Sequence, residues 1–259
     1  MKISICYNPQ IKNSSQVLFE VEKLLKSNNV KYNILDIDNL KANSDIALVI
    51  GGDGTILKAA RFFCEYDTPI FGINLGRLGF LSQASSNNLE KAIENILTHN
   101  YKIENRMMLK AENYNALNDF VIKGSTAGRT SRFSLMINEK FVCEYLADGI
   151  IISTPTGSTA YSMAAGGPII TPSLESIVIV PICPHTFSAR PLVVDANDKI
   201  KIISAKGCVF ADGQIAFDLK DNICITKSHK DARLILLNDN DFYSVLKNKL
   251  QWGISPVKM

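Results

Sequence analysis

The apolar run Ile46-Ala47-Leu48-Val49-Ile50 passes directly into Gly51-Gly52-Asp53-Gly54-Thr55 and then into a stretch with helical character, Ile56 to Tyr66. A β-branched run, a glycine turn and a helix form the layout of an anion site at the carboxyl end of a buried strand. The glycines admit a ligand close to the backbone, and the free N–H groups at the helix start attract negative charge. A loop that only cradled phosphate would gain nothing from a carboxylate, because like charges repel. Asp53 therefore reads as a base, or as a partner for a hydroxyl beside the phosphate, which is what phosphoryl transfer to an alcohol requires. The same five residues also satisfy an ordinary turn, since Asp-Gly pairs are common turn formers, so the loop alone leaves both readings open.

Residues 1–99 alternate in type. Strands are expected at Lys2–Tyr7, Lys31–Ile37, Ile46–Ile50 and Pro69–Ile73. Helices are expected at Ser14–Ser27, where Val17, Leu18, Val21, Leu24 and Leu25 fall on one face, at Ile56–Tyr66, and at Leu89–Thr98. Such alternation predicts an α/β domain with a parallel, Rossmann-like sheet covered on both faces, its ligands at the carboxyl ends of the strands. Asp53 and the loop Asn74-Leu75-Gly76-Arg77-Leu78-Gly79 both fall there.

From about Tyr101 the pattern becomes a succession of short β segments: Ala116–Lys123, Phe133–Ile137, Lys140–Leu146, Gly149–Ser153, Ile177–Val180, Ile200–Ser204, Cys208–Ala211 and Gln214–Asp218. Asn138-Glu139 is a hairpin turn candidate, and one helix is expected to start near Gly157. The division expected is an N-terminal α/β domain over 1–99 and a predominantly antiparallel β domain over 100–235. A tail, 236–259, packs back on the first domain through a helix over Asp241–Trp252.

Composition narrows the function classes. The net charge of +3, from 28 basic and 25 acidic residues without long blocks, gives no nucleic-acid or membrane footprint. No apolar run reaches bilayer length, and the N-terminus runs straight into a strand, so a cytoplasmic location is expected. The six cysteines form no Cys-x-x-Cys pair and read as reduced thiols. Cys183-Pro184-His185 lacks companion ligands, and no carboxylate cluster suggests a dedicated metal cage.

The second informative stretch is Asp148 to Tyr161, a buried-looking strand followed by Ser153-Thr154-Pro155-Thr156-Gly157-Ser158-Thr159-Ala160-Tyr161. Hydroxyls and open N–H groups suit ribose or phosphate oxygens, and Tyr161 suits a planar base. The competing reading is a capped helix with Ser158 or Thr159 as the cap.

Taken together, the blocks resemble the bacterial-type NAD kinase family over nearly the whole chain. Beside Gly51–Thr55 stand Phe71–Leu81, Ala116-Leu117-Asn118-Asp119, Asp148–Tyr161, Ala165-Gly166-Gly167-Pro168, Pro181–Pro191 and Asp212-Gly213-Gln214. The resemblance implies transfer of a phosphoryl group from ATP or polyphosphate to the 2′-hydroxyl of the adenosine ribose of NAD, giving NADP. Asp53 matches the general base against the ribose 2′-hydroxyl, with Gly54 beside it in the NAD-binding set, and Gly51, Gly52, Gly54 and Thr55 form the phosphate loop. Lys58 matches a basic position near phosphate, its alternative being a solvated lysine. Asn118 and Asp119 match a ribose-holding pair usually seen as Asn-Glu, so the shorter acid is a departure. Asp148 matches a contact of the nicotinamide carboxamide. Thr159, Ala160, Tyr161, Ser162, Met163 and Ala164 line the nucleotide, with Ala164 where relatives carry Ser. Arg129 and Gln214 complete the NAD-binding set, Arg129 reading equally as a solvated loop residue. The resemblance further implies a divalent cation, Mg²⁺, arriving with the donor, and a homodimer or homotetramer with the active site between its domains. Two other readings stay open: a lipid kinase of the diacylglycerol type sharing the glycine loop, and a nucleotide-binding sensor without catalysis.

Overall fold

The structure, a computed structural model, describes residues 1–41, 43–76, 79–126, 129–237 and 241–251. The chain divides into two compact units, Met1–Asn105 with Ala232–Met259, and Arg106–Asp231.

In the first unit, β1 (Lys2–Tyr7), α1 (Ser14–Ser27), β2 (Lys31–Asp36), β3 (Ile46–Ile50), α2 (Asp53–Phe63), β4 (Ile70–Asn74), β5 (Ser82–Ser85) and α3 (Leu89–Leu97) follow in order. The sheet runs β2-β1-β3-β4 and every pairing is parallel, with β5 and Leu234 of the later strand over Asn222–Leu236 also pairing with β4. Alternate side chains explain the two covered faces. Ile3, Ile5, Leu48 and Ile50 meet Val17, Val21 and Leu25 of α1 and Ile93 and Ile96 of α3 in one core. On α2, Ile56, Ala59, Ala60 and Phe63 are also buried, and Ile56 lies so close to β4 that a Cβ on Gly72 would stand 2.5 Å from its Cδ1. Each large apolar side chain withdrawn from water contributes roughly 1.5–3 kcal/mol, so these faces hold the layers together.

The helix after the glycine turn begins three residues earlier than its apolar pattern indicates, at Asp53 rather than Ile56, and ends at Phe63 with a 3-10 turn over Cys64–Tyr66. Asp53 and Gly54 carry no apolar signal, yet they form the first helical turn. An acid there is favoured by the helix dipole.

In the second unit the chain forms β6 (Lys102–Ala111), β7 (Tyr114–Ala116), β8 (Asp119–Gly124), β9 (Ser131–Ile137), β10 (Lys140–Ala147), β11 (Gly149–Ser153), α4 (Tyr161–Ala164), β12 (Ser176–Ile182), β13 (Leu192–Asp195), β14 (Ile200–Ile203), β15 (Gly207–Ala211), β16 (Ile215–Leu219) and β17 (Asn222–Leu236). β6 and β17 cross the boundary of the unit along the chain. One antiparallel sheet has the order β13-β12-β11-β8-β15-β16. A second antiparallel run is β10-β9-β14-β17. The core takes Phe120, Ile122, Ile150 and Ile152 from the first and Phe133, Leu135, Ile200 and Ile202 from the second. Val121 and Ile151, pointing the other way, join Val178 and Val180 in a separate cluster.

The segment expected as one strand, Ala116–Lys123, is two, broken at Leu117-Asn118. The helix expected near Gly157 is a 3-10 turn, Gly157–Thr159, and the single turn α4. Neither has a side-chain cap, so the expectation that Ser158 or Thr159 caps a helix is corrected. The final helix, α5 (Phe242–Leu250), belongs to the first unit and is capped by Asp241, which accepts from the N–H groups of Tyr243 and Ser244. Trp252, at the end of the expected tail helix, lies outside the described residues, as do Arg77 and Leu78 of the glycine-rich loop.

Candidate active site

The parallel strand β3 ends at Ile50, and Gly51 continues its ladder by donating to Ile73 O at 2.9 Å. Gly52 stands as the extended N-cap residue of α2, and its carbonyl accepts from Thr55 N at 2.9 Å and Ile56 N at 3.2 Å. Asp53 is thereby placed at the head of α2 with its side chain about one-third exposed. Two backbone groups hold it: Phe80 N donates to Oδ2 at 3.0 Å and Leu81 N to Oδ1 at 3.3 Å. The seat exists because residue 79 has no side chain. A Cβ on Gly79 would stand 1.9 Å from Asp53 Oδ1. Gly79 is itself held, its N–H donating to Ser82 Oγ at 2.6 Å. A carboxylate oxygen has more than one lone pair, so Asp53 keeps acceptor capacity for a hydroxyl.

Thr55 is buried in the same turn, while Gly54 is exposed. Lys58 forms an ion pair with Asp38, so its ammonium has a protein partner. Lys249 of α5 places its Nζ 4.0 Å from Asp53 Oδ2 and 5.1 Å from the centre of the Phe80 ring. Lys249 and the two N–H donors were not candidates from sequence. Phe80 and Leu81 act through backbone, which residue type does not reveal.

In the second unit the interruption between β7 and β8 at Leu117-Asn118 is organised by Asp212. Its carboxylate accepts from Leu117 N at 3.2 Å, Asn118 N at 2.7 Å and Asp119 N at 3.3 Å. Asp119 O accepts in return from Asp212 N at 2.9 Å. Asp119 is 4% exposed. Burial, and then the neighbouring Asp212 charge, push its carboxyl up to about 7. Asp212 stands in the Asp-Gly-Gln motif two residues before Gln214, and sequence reasoning named only Gln214 from it. Gln214 is exposed.

The turn after β11 closes onto the same break. Thr154 N donates to Asn118 O at 2.8 Å, and a Cβ on Gly157 would lie 2.1 Å from that carbonyl oxygen. The hydroxyls expected to face a ligand are largely spent on this scaffold. Thr154 Oγ1 donates to Leu117 O at 2.6 Å and accepts from Gly157 N at 3.0 Å. Ser158 Oγ donates to Pro155 O at 2.7 Å and accepts from Ile170 N at 2.9 Å. Thr159 Oγ1 donates to Thr156 O at 3.3 Å, and Thr156 Oγ1 accepts from the buried Arg106 at 3.4 Å. The Thr154 and Ser158 hydroxyls, each donating and accepting within this scaffold, fix the shape of the turn, while Thr159 Oγ1 only donates and keeps its acceptor lone pairs. Ser162 differs, its Oγ being buried without a partner.

Beyond that turn Tyr161 is 40% exposed, Ala164 is exposed and Ala160 and Met163 are half-buried. Asp148, between β10 and β11, is exposed, and its N–H donates to Ile182 O at 2.9 Å. Arg129 is exposed on the β8–β9 connection, next to Ala127 and Gly128, which lie outside the described residues. The structure thus draws Asn118, Asp119 and the 154–159 turn together in one unit and Asp53 with its glycine turn together in the other.

A carboxylate seated by backbone N–H groups at the head of a helix, in a glycine turn on a parallel strand, is the equipment of a phosphotransferase with an alcohol acceptor. The comparisons specify it further. Residues 2–101 match the model of the ATP-NAD kinase N-terminal domain and residues 117–237 that of the ATP-NAD kinase C-terminal domain. An NAD kinase of Clostridium botulinum (strain Eklund 17B) is 40% identical, over 96% of this chain and 95% of its own. An NAD kinase of Pseudomonas putida (strain F1) is 42% identical, over 81% and 76%. Among solved structures, an Archaeoglobus fulgidus NAD kinase in complex with ATP superposes with a TM-score of 0.84 at 30% identity, covering 97% of this chain and 99% of that one. A yeast NADH kinase complexed with NADH shares the fold, with a TM-score of 0.87 at 22% identity, over 100% of this chain and 89% of that one. The chain belongs to the NAD kinase family, and it is an enzyme with that family's kinase activity.

Proposed function

We propose that the protein transfers the terminal phosphoryl group of ATP to the 2′-hydroxyl of the adenosine ribose of NAD, with Asp53 as general base. The observation that carries this reading is the seating of Asp53, oriented by Phe80 N and Leu81 N at a place cleared by Gly79. In the reaction the acceptor oxygen forms a bond to the γ-phosphorus as the bond to the bridging oxygen breaks. The hydroxyl proton passes to the Asp53 carboxylate, and ADP leaves with the electron pair. Orientation of a base within hydrogen-bond reach is the requirement such chemistry places on the protein.

Asn118 and Asp119 hold a ribose, Asp148 meets the nicotinamide carboxamide, and Thr159 to Ala164 line the nucleotide with Tyr161 against a base. Arg129 and Gln214 supply further polar contacts, and Gly51, Gly52, Gly54 and Thr55 the phosphate loop. The relative solved with ATP supports that donor; polyphosphate is the alternative. A divalent cation fits as part of the donor complex rather than as a resident ion. Among the described residues no group of three or more His, Cys, Asp or Glu side chains is placed to hold a metal ion. Carried by the donor, Mg²⁺ neutralises phosphate charge. The assembly proposed is a homodimer or homotetramer in the cytoplasm. No described helix is long and apolar enough to cross a membrane.

The test is to incubate the protein with NAD, Mg²⁺ and either ATP or polyphosphate, reading NADP with a dehydrogenase specific for it. NADP formed with ATP supports the proposal. Absence of NADP with both donors overturns it, and formation from polyphosphate alone reassigns the donor.

A further inference from the structure

α5 is amphipathic in an informative way. Val245 and Leu246 are buried and anchor it, and Lys249, four and three residues on, shares their face. A lysine on the packed face of a helix has somewhere to reach, and here its ammonium lies 4.0 Å from Asp53 Oδ2 with its charge over the Phe80 ring. The same Phe80 lends its N–H to Asp53. One short loop therefore joins the carboxylate, the aromatic ring and the cation. As an ion pair this gains little stability, because both side chains are about one-third exposed, at 33% and 32%. The position needs another reason.

The chemistry at Asp53 supplies one. An anionic phosphoryl group has to come within bonding distance of a hydroxyl that is itself hydrogen-bonded to a carboxylate. Two anions converge there, and a cation that faces both removes the repulsion. Lys58, one helical turn along α2, is engaged with Asp38. Lys249 has three N–H donors on a flexible stem, enough to contact a phosphate oxygen while remaining beside Asp53. We infer that Lys249 is a phosphate-contacting residue of the kinase reaction, bringing the transferred phosphoryl group of the donor to the Asp53 carboxylate. The inference rests on the reading of Asp53 as the base.

The experiment compares the unaltered protein with Lys249→Met, Lys249→Arg and Asp53→Asn, measuring kcat and KM for ATP and for NAD, and the ligand-free thermal midpoint. Lys249→Met is expected to lower kcat/KM for ATP by about ten- to a hundredfold, the scale of one charge-assisted hydrogen bond. The KM for NAD and the midpoint should hold, and Lys249→Arg should recover most of the loss. Wild-type kinetics in Lys249→Met, or a gain in rate, would overturn the inference. So would a loss shared equally by ATP and NAD, with a lowered midpoint and no recovery by Arg, since that marks a helix anchor. The outcome for Asp53→Asn separates the two ideas. Full turnover there removes the base, whatever Lys249 does, whereas an inactive Asp53→Asn beside an unaffected Lys249→Met removes only the present inference.

Discussion

Asp119 shows how far a side chain's role depends on neighbours that residue type alone does not disclose. The sequence marks it as one member of an Asn-Asp pair. The structure adds that it is buried beside Asp212, whose carboxylate is occupied by three backbone N–H donors. Burial and that charge raise the Asp119 carboxyl to about 7, far above an unfolded carboxyl. The folded state then holds a proton that the unfolded state has released, so stability falls as pH rises from about 4 to about 7 and stays low above that. Asp119→Asn cannot titrate. Its stability relative to wild type should rise by about 2–3 kcal/mol between pH 5 and pH 8, read from denaturant unfolding at the two values. A difference independent of pH would show that Asp119 ionises normally in the fold. The hydroxyls of Thr154, Ser158 and Thr159 carry a structural role that residue type does not disclose: Ser158 and Thr159 donate to carbonyls of their own turn, and Thr154 ties that turn to Leu117 O.

At the scale of elements, periodicity located the regular pieces well. β1, α1, β3 and β11 have the bounds their apolar patterns indicate. The Asn138-Glu139 turn joins β9 to β10 with φ of 50° and 62°, the left-handed pair that a tight hairpin requires. Elements without an apolar rhythm stayed hidden. β5 is Ser-Gln-Ala-Ser, and β17 carries the polar stretch Thr226-Lys227-Ser228-His229-Lys230-Asp231 in its middle. The docking of the loop after β4 onto the head of α2 was hidden too, because it depends on a missing side chain. Gly79→Ala should displace the Asp53 carboxylate and lower kcat by about a hundredfold, the scale of a misplaced catalytic group. Gly79 is buried, so stability should fall by about 1–3 kcal/mol, the cost of overpacking one site. Unchanged kcat would mean that the position of Asp53 does not limit the rate.

For the whole molecule, the order of strands and helices along the chain carried the α/β and β halves of the fold, because alternation and its loss are visible without any contact. The loop that carries Asp53 was legible too, since an acid inside a glycine turn stands out against a plain phosphate cradle, and its role as base is what we propose for it. Hidden were the groups brought in from far along the chain: Phe80, Leu81 and Lys249 around Asp53, and Asp212 beneath Asn118. The central claim is that Asp53 takes the proton from the ribose hydroxyl of NAD. It is tested most directly by NADP formation in Asp53→Asn, alongside NAD binding by calorimetry. The amide keeps the shape and loses the base, so turnover should drop by about 10²–10⁴ while NAD still binds. Wild-type turnover in this variant would contradict the account.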